Sequence, residues 1–126
     1  MSQDPRRWIS YKALTELAGT DASERDRDGL FPERAFIGLR QLGLVGKPPL
    51  KSLEVGRLLR VLAAIGRGNL SVGRIYEGHI NALLLISWFG TPSQRSTLQR
   101  ARREALFSAC GIRIYPTTPC EWKTAF

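Results

Sequence analysis

His79 is the only histidine in the chain, and Tyr76 precedes it by three residues. On a helix that spacing places both rings on one face. A histidine can act as an acid, a base or a metal ligand. A triad or a metal site needs further partners, and no nucleophile, carboxylate cluster or second imidazole lies close in sequence. No catalytic residue and no metal ligand is therefore assigned. A packed, hydrogen-bonded His79 is the simpler expectation. The apolar stripe that holds the pair is Val72, Tyr76, His79, Leu83 and Ile86. Arg74 and Glu77 are spaced for a partly exposed ion pair, worth roughly 0.2–0.5 kcal/mol on a helix. Asn81 stands among apolar neighbours and is expected to be buried with a hydrogen-bond partner.

Gly66-Arg67-Gly68 has the look of a phosphate loop but not its context. It follows a helical pattern rather than a strand, with neither a third glycine at dinucleotide spacing nor a Gly-Lys-Ser/Thr. Cys110 and Cys120 are too few for a disulfide scaffold and have no histidine nearby for a zinc pattern. They are expected to be free thiols.

The elements that position these residues are read from periodicity and caps. A first helix is expected from near Trp8 to at least Ala18, ending at Gly19-Thr20 or continuing to Asp28. A second starts at Pro32, presents Ala35, Phe36, Leu39 and Leu42, and stops at Gly43, a natural left-handed cap. Pro48 and Pro49 lie in a loop. Ser52 can cap a third helix, whose face is Val55, Leu58, Leu59, Leu62 and Ile65. Gly66 to Asn69 is expected to break it. A fourth helix runs from about Leu70 to Phe89. Its second half is apolar on every side, which predicts a central helix covered all round. Gly73 and Gly78 each cost about 1 kcal/mol relative to alanine inside a helix, so close approach of another backbone or a ligand is expected there. Thr91-Pro92-Ser93-Gln94 reads as a cap, a first-turn proline and a capping box, opening a fifth helix with Gln94, Leu98, Ala101 and Ala105 inward and arginines outward. After Leu106 the character changes. Gly111 to Tyr115 reads as one short strand without a partner, an edge that would lower solubility. The fold class expected is all-α, with about five helices and a short irregular or single-strand tail.

The whole chain of 126 residues fits one domain with a real core, at 43% hydrophobic and 24% charged residues. No apolar run is long enough to span a membrane. The amino terminus lacks the apolar core of a signal peptide, so the cytoplasm is the expected compartment. The formal net charge is +8. Its densest group is Arg95, Arg100, Arg102 and Arg103; the other arginines are scattered, often beside acids. A basic domain can bind nucleic acid or an acidic surface. It can also carry a basic face that meets another domain or subunit, and this is the reading expected here.

Residues Gly66 to Gln94 resemble a helix and following turn in the amino-terminal helical domain of acyl-CoA dehydrogenases and related flavoproteins. Asp26-Arg27-Asp28-Gly29-Leu30-Phe31-Pro32, followed by Leu39, Gly43 and Leu44, is similar to the run that leads to a Gly-Leu turn in that family. The two elements together cover roughly residues 14 to 106, in matching order. The resemblance implies an FAD enzyme in which a glutamate removes an α-proton from an acyl thioester and a β-hydride passes to the flavin. The base and most flavin contacts lie in a middle domain and a carboxy-terminal bundle that this chain does not contain. It also implies that Tyr76 and His79 line the acyl or substrate pocket. On that basis residues 1–107 form the family-like helical domain and 108–126 a divergent tail, expected to be poorly ordered or packed differently from the family. The chain is expected to be a truncated gene product or a fragment, inactive alone and unable to hold FAD by itself. Its implied partners are an acyl-CoA substrate and the remaining flavoprotein domains, with homo-oligomerisation open. The alternative is a free-standing basic helical module for an anionic partner such as nucleic acid.

Overall fold

A computed structural model describes residues 9–103, together with 107–109 and 112–114. The fold is all-α. Five helices have eight residues or more: α1 (Tyr11–Ala18), α3 (Glu33–Gln41), α4 (Val55–Gly68), α5 (Leu70–Phe89) and α6 (Pro92–Arg103). The seven-residue α2 (Ala22–Asp28) and a 3-10 turn (Ser52–Glu54) complete the helical part. The first helical pattern thus ends at Gly19, and α2 is a separate short helix, polar throughout after Ala22. Its end at Gly29 (φ 62°) sends the Leu30 N–H back to the Arg25 carbonyl at 2.9 Å.

The core is a single cluster built around α4 and α5. Leu14 and Ala18 of α1, Phe36 and Leu39 of α3, Val61 and Ile65 of α4, and Val72, Tyr76 and Ile80 of α5 meet there. Glycines allow the closest crossings. A methyl group at Gly68 would collide with the Thr15 carbonyl, so α1 and α4 touch backbone to backbone. The Thr15 hydroxyl completes that contact by donating to the Ala64 carbonyl at 2.9 Å. At the α4–α5 crossing, a methyl on Gly73 would lie 3.0 Å from the Gly66 Cα. The close backbone approach expected at Gly73 is therefore present.

Gly66 and Gly68 do not break the helix as expected. α4 continues through Gly68, because both glycines sit at crossings where neighbours hold the backbone. Asn69 makes the break instead. Its side chain accepts from the Ser71 and Val72 N–H groups at 2.9 and 3.4 Å and starts α5. At the other end, Thr91 and Gln94 form the expected capping box, with reciprocal bonds of 3.2 and 2.9 Å.

Three further expectations are corrected. The second half of α5 is not covered all round. Ile80 and Leu83 are buried, but Leu85, Trp88 and Phe89 are exposed at 56%, 63% and 78%. Asn81 is exposed as well, on the uncovered side of the helix. The strand at Ile112–Ile114 is also not alone. It pairs antiparallel with Phe107–Ala109, with Ala109 opposite Ile112 and Phe107 opposite Ile114. The first of these strands lies against α5. The start expected near Trp8, and the expectations for residues 110–111 and 115–126, fall outside the described residues.

Candidate functional site: a turn clamped by three side chains

Tyr76 and His79 are brought together as their spacing requires, with ring centroids 6.4 Å apart. What they face is the turn after α3. Gly43 (φ 75°) takes the left-handed conformation that ends that helix. Its N–H bonds the Arg40 carbonyl at 2.9 Å, and the Leu44 N–H bonds the Leu39 carbonyl at 3.0 Å. This double return is the Schellman arrangement, and it drives Leu44 and Val45 into the core.

A turn pushed into a core brings peptide groups away from water, and each needs a partner. Three consecutive carbonyls find one. The Tyr76 hydroxyl donates to the Leu44 oxygen at 2.9 Å. His79 Nε2 lies 2.8 Å from the Val45 oxygen. A carbonyl only accepts, so Nε2 carries the proton in this contact. Arg102 Nε donates to the Gly46 oxygen at 2.9 Å from α6. One turn is thus held by two helices through three side chains. Burial pushes the Tyr76 phenol above its ordinary range, since the phenolate would lose its hydration there.

Arg102 was not expected in this role. The apolar stripe of α6 places its arginines on the outer face. The signal was present in the spacing: Arg102 follows the buried Leu98 by four residues and so shares its inward side. The remaining sites fall as follows. Arg74 and Glu77 form the expected pair at 3.3 Å, both well exposed. Gly66 and Gly68 both lie within α4, and Gly68 meets the Thr15 carbonyl.

Two surface clefts flank these elements. One, of about 180 Å³, lies beside the turn and is lined by Gly46, Lys47, Gln99 and Arg102. The other, of about 170 Å³, lies between α4 and α5 and is lined by Leu62, Gly66, Leu70, Gly73, Arg74 and Glu77. Tyr76 and His79 line neither; both are inside the core. Among the described residues, no group of three His, Cys, Asp or Glu side chains gathers to hold a metal. Among the same residues, no helix is long and apolar enough to cross a membrane. Comparison of the chain with protein-family models, curated proteins and solved structures returns no match.

Proposed function

We propose that the chain is the amino-terminal helical domain of an FAD-dependent, acyl-CoA dehydrogenase-like oxidoreductase. Its task in this reading is to supply helical packing surface and one wall of the substrate site to domains that carry the base and the flavin. The motif resemblance from Asp26 to Gln94 supplies the family. The uncovered end of α5 carries the argument for domain packing. Leu85, Trp88 and Phe89 stand in water on a helix whose other half is anchored in the core. Covering a large apolar side chain contributes roughly 1.5–3 kcal/mol when burial is complete. Three such side chains on one helix end favour a packed neighbour.

Tyr76 and His79 enter this reading through the turn they hold. They fix Leu44 and Val45 against α5, and with them the position of the Gly-Leu turn that resembles the family. An acyl-CoA substrate and FAD would be bound mainly by the covering domains.

A basic nucleic-acid module has less support. Arg102 belongs to the densest arginine group, yet its Nε is engaged on the Gly46 carbonyl. Arg74 is engaged with Glu77.

The test is complementation. The chain is mixed with a flavin-loaded pair of middle and carboxy-terminal domains from an acyl-CoA dehydrogenase. The expected result is a stable complex and acyl-CoA-dependent reduction of an electron-accepting dye, both weakened by Trp88→Ala with Phe89→Ala. No complex with such domains, or flavin binding and dye reduction by this chain alone, would refute the reading.

A further inference from the structure

The solvent side of α4 is built for a second contact. Val55, Leu59, Leu62 and Gly66 follow one another at steps of four, three and four residues. At 100° per residue they fall within about 60° of one another and form one ridge along the helix. Helical spacing of this kind is expected of a buried seam. Here Val55 is 50% and Leu59 59% exposed, and Leu62 and Gly66 form one wall of the cleft between α4 and α5. Leu70, 71% exposed, lines the opposite wall. Next to the ridge the helix carries only small groups, Gly56 and Ala63, both exposed. A neighbouring helix could therefore approach closely.

The rim carries three arginines and one carboxylate, Glu77, which is already paired with Arg74. Arg60 and Arg67 are exposed along the far edge of this face, seven residues apart. Arg74 stands on the α5 side. Arg60 and Arg67 form no ion pair with any described carboxylate, and Arg74 has Glu77 only.

We propose that this face is a docking groove for an acidic amphipathic helix of a protein partner. The apolar ridge would take the partner's leucine-like seam, and Arg60 and Arg67 would pair with carboxylates on the flank beside them. Length fits this occupant. Val55 to Gly66 spans eleven steps, about 16 Å, or three helical turns. A second copy of the chain fits poorly. Two such faces brought together would oppose arginine rows in a molecule of net charge +8. Nor does a described helix supply the complement, since α2, the most acid-rich, has no buried residue and no apolar stripe.

This site is separate from the packing surface invoked above. Leu70 and Phe89 lie at opposite ends of α5, about 28 Å apart along its axis. The proposal therefore stands without the flavoprotein reading, and one experiment tells them apart.

The probe is a synthetic, fluorescently labelled helical peptide about five turns long, with a leucine seam flanked by glutamates. A second peptide keeps the seam and replaces every glutamate with lysine. Fluorescence anisotropy is read against the intact chain near physiological salt. The glutamate peptide should bind at least about tenfold more tightly than the lysine peptide. Leu59→Asp should weaken binding by a similar factor, and Arg60→Glu with Arg67→Glu should reverse the preference between peptides. Trp88→Ala should leave binding unchanged. Leu59 faces water, so its variant should keep the far-UV circular dichroism and melting of the parent. Equal binding of the two peptides, or indifference to Leu59→Asp in a folded variant, overturns the proposal. So does a dimer in sedimentation that Leu59→Asp disperses, because the second copy would then be the occupant.

Discussion

Replacing Tyr76 with phenylalanine removes one atom from the clamped turn and leaves the ring in place. The hydroxyl donates to the Leu44 oxygen at 2.9 Å, and both residues are 1% exposed or less. Its loss forfeits a hydrogen bond worth about 1 kcal/mol net. It also strands a buried carbonyl, which raises the cost toward the 1–3 kcal/mol range. The phenylalanine ring offsets part of this, since it needs no desolvation of a hydroxyl. The expected loss is about 1–2 kcal/mol, which lowers the melting temperature by about 4 °C per kcal/mol in a domain of this size. Urea unfolding followed by circular dichroism reads it directly: the midpoint should fall while the slope stays constant. The clamp adds a sharper test. His79→Phe acts on the adjacent carbonyl, so its effect should be smaller in the Tyr76→Phe background, because the turn has already loosened. A coupling of at least about 0.5 kcal/mol is expected for groups sharing one segment. If Tyr76→Phe stays within about 0.3 kcal/mol of the parent and the double variant is strictly additive, the clamp is not a cooperative unit and the reasoning fails.

Alkaline unfolding should report the same phenol. The folded state holds Tyr76 protonated above its ordinary range, whereas the unfolded chain releases that proton near pH 10. Stability from this group is thus complete below about pH 10 and declines as pH rises above it, by up to about 1.4 kcal/mol per pH unit. Tyr76→Phe should flatten that part of the stability curve, and an unchanged alkaline slope would contradict the assignment. At the helix crossings, Gly68→Ala should destabilise strongly, since its methyl meets the Thr15 carbonyl, while Gly56→Ala has open space and should stabilise by about 0.5–1 kcal/mol. Chemical denaturation of the pair checks both signs. Thr91→Ala should cost about 1 kcal/mol through loss of its bond to the Gln94 N–H, and fraying of α6 by hydrogen exchange should accompany it.

Local chemistry was the legible part of this sequence. The capping box at Thr91, the left-handed Gly43 and the bounds of α5 all follow from residues within a turn of one another. Gly73 was legible as a penalty in need of an explanation, and the explanation is the Gly66 backbone. What sequence alone could not supply was the far partner. Tyr76 and His79 reach carbonyls 32 and 34 residues away. A main-chain oxygen has no side-chain signature, so nothing in the pattern marks it. The end of α5 was misread for a related reason. Apolar residues on every side predict cover, but the described neighbours bury only the face of Ile80 and Leu83. The pairing of Phe107–Ala109 with Ile112–Ile114 leaves little signal in the sequence, since each strand is only three residues long and only two residues separate them.

The two halves of α5 do different physical work, and the difference follows from where the hydrogen bonds go. The first half carries Gly73 against α4, then Tyr76 and His79 against the turn, so backbone contact and two side-chain bonds fix its position. The second half has no such bonds to the turn and exposes Trp88 and Phe89 edge to face at 6.4 Å. Rigidity in the first half pre-organises the second. A helix held at one end presents its aromatic pair without having to order itself first, so less of the contact energy is lost on docking. Loosening the clamp should therefore weaken any contact made at Trp88 and Phe89, even though neither residue touches the turn residues in the bonds described. That coupling would be absent if the exposed aromatics were only a frayed end. It makes Tyr76→Phe, measured for partner binding as well as for stability, the single change that links the buried turn to the open surface.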